Sequence, residues 1–356
     1  MSNAALAQVA CPNDECEQHG RLDAGNVVPH GYSRVKGGRR RRYRCTACST
    51  TFGTRTGTPY GRLQYSMARF DRVAALSVEG VSKSAIARLE GVSWNTVARW
   101  LERAAALARR FNAKHLRGHE LVELQLDEMN TFLQSRKQQT WVFAGIDVWS
   151  RLWAATLVGS RTYRNTKRFV RSIADARSGG GTPLITTDGF KFYAPTIRHV
   201  FGLGCVLAQV IKKIKRNRVV RVGTKLIEGS EWRLADALEE SEDSTKLNTS
   251  FIERLNLTIR QGCAYLRRRS PCHARKKRTL DDHLELFRAF YNFVRPHSAL
   301  RFGKVTRTPA MQAGLAKKRL RFRDVFTARL AAARFAIVRF RAVAYHEAVA
   351  GLKLAA

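Results

Sequence analysis

Acidic residues are scarce in this chain: 28 Asp and Glu stand against 64 Lys and Arg over 356 residues, a formal net charge of +36. Such an excess of one sign repels itself in a compact fold, which argues for a polyanionic partner, and nucleic acid is the commonest one. Long apolar runs are also missing. Nothing approaches the roughly 20 consecutive apolar residues that span a bilayer, so a membrane-spanning chain is not expected. The opening stretch MSNAALAQVACPNDEC lacks the basic n-region and longer apolar core of a secretory signal, and a cytoplasmic protein is expected. An even cysteine set is absent too. The seven are Cys11, Cys16, Cys45, Cys48, Cys205, Cys263 and Cys272. An odd number, with four crowded near the N-terminus, fits metal binding in a reducing compartment better than a disulfide framework.

What is present begins with those four. CPNDEC and CTAC are two cysteine pairs separated by 28 residues. Two tight turns facing each other supply the four soft ligands of a tetrahedral zinc ion, so Cys11, Cys16, Cys45 and Cys48 are expected to hold one structural Zn²⁺ in a ribbon. His19, in CEQHG, is an alternative ligand. The later three cysteines read as small core residues. Residues 66–110 read as helical. In SKSAIARLEGVSWNTVARWLERAAALARR, Ser82 or Ser84 caps a short helix ending near Glu90, Gly91 permits a turn, and Ser93 caps a second helix. That is the helix-turn-helix pattern, whose second helix enters the major groove of DNA. Trp94, Asn95, Thr96 and Arg99 fall on the exposed N-terminal part of that helix.

From about residue 118 the period changes from helix to strand. HELVELQLDEMNTF alternates Val122, Leu124 and Leu126 with Glu123, Gln125 and Asp127. TWVFAGIDVWSRLWAATLVG reads as a hairpin, Tyr163–Ala176 as a helix, PLITTDG as a buried strand ending at Asp188, and CVLAQVI as another strand. A short helix near 194–202 lies between those two strands. A long helix follows at about 249–268, giving a mixed α/β domain with five strands. Three acids stand out: Asp127 on the first strand, Asp188 at the end of a later one, and Glu253 on the helix. On that helix Ile252, Leu255, Ile259 and Leu266 form an apolar stripe, while Glu253, Asn256 and Arg260 share another face. Three carboxylates on separate elements are suited to holding two Mg²⁺ ions about 3.5–4 Å apart. Asp147 competes for the second position. Glu128 reads as a neighbour rather than a ligand, because side chains alternate along a strand.

LQLDEMNTF, TTDGF and NTSFIERLNLTIRQG, in this order, resemble the DDE signature of bacterial insertion-sequence transposases. YNFVRPHSAL is similar to the closing segment of many transposase and integrase cores. The cysteine ribbon followed by a helix-turn-helix resembles the front half of one such lineage, so the likeness spans roughly residues 11–305. It implies an RNase H-like core in which Asp127, Asp188 and Glu253 form the catalytic triad, with two Mg²⁺ or Mn²⁺ ions per active site. It also implies strand cleavage and transfer at the element's terminal repeats, by a homodimer or larger synaptic assembly on the bacterial nucleoid. The expected layout is a zinc ribbon over 1–55, a helix-turn-helix over 60–115, the α/β core over 118–305 and a basic tail over 306–356. VIKKIKRNRVVR and YLRRRSPCHARKKR add candidate phosphate contacts, notably Lys212, Lys213, Lys215, Arg267 and Arg268, with Arg260 beside them. The tail segment 316–345 mixes Arg with Phe, Val and Ala, a basic helix for DNA or for dimerisation. The rival functions are an RNase H-like nuclease without strand transfer and a transposase-derived DNA-binding regulator.

Overall fold

The structure is a computed structural model that describes residues 9–35, 38–178, 181–216, 218–268 and 270–328. Its first lobe is an antiparallel meander of β1 (Val27–Val35), β2 (Gly38–Cys45) and β3 (Thr51–Gly53). Val9, Val27, Tyr43 and Phe52 pack there with Cys11, Cys16 and Cys45. So small an apolar cluster needs a further cross-link to be stable. Three helices follow: α1 (Met67–Val78), α2 (Lys83–Glu90) and α3 (Trp94–His115). Each begins at a serine, Ser66, Ser82 or Ser93, whose hydroxyl accepts a hydrogen bond from the backbone N–H three residues on. Of the two caps proposed for α2, Ser82 is the one used. Gly91, at φ 57°, ends α2 in the left-handed conformation that a side chain disfavours, and the chain turns into α3.

The α/β part comprises β4 (Glu123–Phe132), β5 (Gln139–Asp147), β6 (Trp153–Gly159), α4 (Tyr163–Ala176), β7 (Leu184–Thr187), α5 (Tyr193–Phe201), β8 (Val206–Lys215) and β9 (Arg218–Glu228). Helices α6 (Glu231–Glu239), α7 (Ser250–Gly262), α8 (Lys277–Ala289), α9 (Pro309–Gln312) and α10 (Phe322–Thr327) complete it. The strands form one mixed sheet in the order β6-β5-β4-β7-β8-β9. β4, β7 and β8 are parallel neighbours, and the outer pairings are antiparallel. The sheet therefore has six strands, not the expected five. The additional strand, β9, follows the basic run KKIKRNR and reads as polar linker, but Arg216 at φ 49° opens a hairpin that returns it along β8. Helix α6 was hidden in the same polar stretch, and α7 stops at Gly262 rather than near 268. Among the described residues no helix is long and apolar enough to cross a membrane.

The helical lobe and the sheet share one apolar core. The C-terminal turns of α3 lie against α8, where Arg109 pairs with Asp281 and Asp282 at 2.8 and 2.7 Å. Asn112 Nδ2 donates to Glu285 there. The segment from residue 306 is folded as far as Ala328, and in α10 Phe322 stacks on Phe290 while Phe326 meets Phe70 edge-on. Arg323 pairs with Asp71 at 2.6 Å. So this part of the expected tail is packed against α1; the rest, from residue 329, lies outside the described residues.

At the junction Gly262 leaves no room for a side chain: a Cβ there would lie 2.3 Å from the Phe287 ring and 2.7 Å from the Val78 carbonyl oxygen. His283 bridges the same place, with Nε2 3.3 Å from the Gly262 carbonyl oxygen and Nδ1 3.4 Å from the Ser77 hydroxyl. A neutral ring satisfies both contacts by donating from Nε2 and accepting at Nδ1. Burial lowers the His283 pKa to about 4. Its unfolded counterpart titrates near 6.5, so this group's contribution to stability is full above that value and is lost as pH falls towards 4. Chemical denaturation of the full chain between pH 7 and pH 4 should show this loss, on the order of a few kcal/mol, and His283→Gln should flatten that part of the profile.

Candidate active site

Along β4, Gln125 and Asp127 face α7, whereas Leu126 packs towards α4. The first pair does specific work. The Gln125 side-chain oxygen accepts from the backbone N–H groups of Phe251 and Ile252, both at 3.1 Å, while its amide donates to Asn248 at 3.2 Å. Thr249, the residue before α7, makes no capping bond of its own, so a glutamine from the neighbouring strand caps this helix. Two residues along β4, Asp127 Oδ2 accepts from Asn256 Nδ2 at 2.7 Å. Strand and helix are thereby locked in register, and Glu253, in the first turn of α7, comes to line the same open cleft as Asp127.

Asp188 arrives by sheet register. Leu126 pairs with Thr187 in the parallel β4–β7 ladder, so the next residues, Asp127 and Asp188, lie side by side. Asp188 Oδ1 accepts from the Phe190 N–H at 2.9 Å, the turn that stops β7. Oxygens of Asp127, Glu128 and Asp188 lie within 4.8 Å of one another. Burial, then Asp188, pushes the Asp127 carboxyl up to about 6, and the same two causes push Glu128 up to about 7. Carboxylates held this close resist ionising together unless a cation is shared among them, and hard oxygen donors of this kind fit Mg²⁺ or Mn²⁺. Glu253 Oε1 accepts from the Thr249 hydroxyl at 2.9 Å and is paired with the Lys212 ammonium.

The cleft, of about 700 Å³, is also lined by Asn130, Arg260, Gln261, Arg267 and Arg268. Lys212, expected to contact phosphate, is instead turned onto Glu253, while Lys213 and Lys215 on the same ribbon are exposed. A larger groove of about 1450 Å³ separates the N-terminal turns of α3 from residues 264–279. Trp94, Asn95 and Arg99 line it opposite Arg275 and Lys276, and Arg267 borders both groove and cleft. Lys83 lies over the Trp94 ring at 5.3 Å. Thr96 is half-buried beside Ser93, its hydroxyl 2.9 Å away. Asp147 is not part of the cluster. It pairs with Leu124, three positions along β4 from Asp127, and its buried carboxylate accepts from the Ser150 N–H at 2.9 Å to shape the hairpin turn.

In the first lobe the sulfurs of Cys11, Cys16, Cys45 and Cys48 all lie within 4.8 Å of one another. Cys11 Sγ is 3.5 Å from Cys48 Sγ and Cys16 Sγ is 3.8 Å from Cys45 Sγ. A zinc tetrahedron with bonds of about 2.3 Å has sulfur–sulfur edges of about 3.8 Å, so the set fits that ion. His19 is outside the cluster, its ring 3.2 Å from Asp14.

Gln125 sits in the same alternation as Asp127, the signal by which the sequence could have marked it, whereas the nearness of Glu128 to Asp188 depends on how β7 ends. No protein-family model matches the chain, and no curated protein matches it. Among solved structures, it is similar to piggyBac transposase in a synaptic complex with hairpin DNA, at 8% identity and a TM-score of 0.31, over 80% of this chain and 74% of that one. At that TM-score the likeness carries no weight for fold or function.

Replacing Gln125 by Ala strips α7 of its cap and bares two N–H groups. Gln125→Ala should lower unfolding stability by roughly 1–3 kcal/mol, and hydrogen exchange should rise at Phe251 and Ile252. Unchanged exchange at those two amides would remove the capping role.

Proposed function

We propose that this chain is a DDE transposase with an RNase H-like core, which binds the ends of an insertion sequence, cleaves a strand at each end and joins the freed 3′ ends to target DNA. The observation that supports this reading is that Asp127, side by side with Asp188 at a strand end, also shares with Glu253 of α7 a cleft rimmed by arginines. Asp127, Asp188 and Glu253 would hold divalent cations, whose chemistry is to neutralise charge at the reacting phosphate and activate the attacking oxygen. Arg260, Arg267 and Arg268 hold the scissile strand by its phosphates and so fix the line of displacement. Lys212 and Thr249 orient the Glu253 carboxylate.

Trp94, Asn95, Thr96 and Arg99 at the start of α3 read the terminal repeats, and Lys213 and Lys215 contact backbone phosphates. The four cysteines hold one Zn²⁺, replacing the core that the first lobe is too small to build. Two ends must be processed together, so the working form is a homodimer or larger assembly on double-stranded DNA. A strand-transfer assay on DNA carrying the element's own ends, with Mg²⁺ or Mn²⁺, tests the reading. Joined products should appear with the wild-type chain, and Asp188→Asn should reduce them by a factor on the order of 10²–10³, the scale of losing one charge-stabilising group. Cleavage without joining would point to a nuclease, and end binding without chemistry to a regulator.

The zinc assignment has its own check. Metal analysis of the purified chain should give one zinc, and Cys45→Ser should lose it and raise hydrogen exchange across residues 9–53 while the sheet stays protected. A chain that folds fully without zinc would contradict it.

A further inference from the structure

We propose that Glu128 is a fourth carboxylate of the metal centre, a direct ligand positioned by a guanidinium clamp. The inference rests on the divalent-metal reading of the cleft. Glu128 is 7% exposed, and its Oε1 is paired with Arg161. Its Oε2 accepts no well-formed hydrogen bond among the described residues, and the buried Tyr193 hydroxyl beside the carboxylate holds its pKa down rather than neutralising it. The carboxylate nevertheless puts an oxygen within 4.8 Å of those of Asp127 and Asp188. A buried carboxylate beside two others is costly unless a cation sits among them.

Arg161 is itself fixed. Its guanidinium lies 3.9 Å from the centre of the Phe190 ring and 4.6 Å from that of Trp141. Phe190 is the residue whose N–H holds Asp188 Oδ1. One turn thus positions Asp188 through its backbone and Glu128 through its ring and Arg161. Holding one carboxylate oxygen by a neighbouring group while the other faces a metal is how ligands are commonly oriented. Alternation along β4 does not separate the two acids here. β7 pairs with β4 only as far as Leu126, so past that point no strand on that side divides the two faces of the sheet.

The test is Mn²⁺ titration of the full chain by calorimetry, without DNA, for the wild type and for Glu128→Gln, Arg161→Met and Asp188→Asn, with circular dichroism confirming the fold. Glu128→Gln should weaken Mn²⁺ binding about tenfold or more, and Arg161→Met should weaken it less, because the carboxylate remains. If Glu128→Gln binds as the wild type does while Asp188→Asn is weakened, Glu128 is only the ion-pair partner of Arg161 and the inference fails, with the metal reading intact. Equal losses in Glu128→Gln and Arg161→Met would overturn it as well. If the wild type does not bind Mn²⁺, or Asp188→Asn binds unchanged, the metal reading fails together with the inference. Should Glu128→Gln not fold, Glu128→Asp keeps the charge but retracts the oxygen, and the same weakening is expected of it.

Discussion

The side chain of Gln125 sets the geometry on which the rest of the site depends. A helix whose N-terminus is buried against a sheet must find partners for its first N–H groups, and α7 finds them on the neighbouring strand rather than in its own cap residue. That fixes both the rotation and the axial position of the helix. Strand and helix then advance together: Gln125 meets Phe251 and Ile252, Asp127 meets Asn256, and the Asn130 carbonyl accepts from Arg260 at 3.4 Å. Glu253 lines the cleft with Asp127 in this register, held there by Thr249 and Lys212. The parallel ladder does the corresponding job for Asp188, one residue past its last paired neighbour.

Electrostatics in the cleft follow from placing acids at low dielectric in a chain that carries few of them. Burial and mutual repulsion raise Asp127 and Glu128 together, while Lys212 and the rim arginines supply compensating charge from outside the cluster. A site built this way favours binding a cation among the acids and a polyanion across the rim. Arg267, shared by cleft and groove, makes the two surfaces contiguous. A charged path therefore runs from the groove beside α3 to the acids.

Much of this was legible in the sequence because it rests on local rules. Serine caps and Gly91 mark the helices, the 2.0 and 3.6 periods separate β4 from α7, and paired cysteines announce the first lobe. What was not legible depends on partners distant in the chain. β9 looks like linker because it follows the basic run KKIKRNR and has Gly223 at its middle, and pairing with β8 reveals it. The N-terminal part of the expected tail is core because Phe322 and Phe326 find Phe290 and Phe70, a match that no local pattern displays. Glu128 comes near Asp188 because β7 stops pairing at Leu126, which alternation along β4 alone does not display. The pairing of Lys212 with Glu253 is set by its place beside α7, which its charge alone does not reveal.

The most direct test of the central claim, that Asp127, Asp188 and Glu253 surround one divalent centre, is to load the full chain with Fe²⁺ in place of Mg²⁺ and generate hydroxyl radicals at the bound ion. Backbone breaks confined to three places, near residue 127 in β4, near residue 188 after β7 and near residue 253 in α7, and suppressed by excess Mg²⁺, are the result expected. Breaks missing from any one of those places, or scattered along the chain regardless of Mg²⁺, would contradict it.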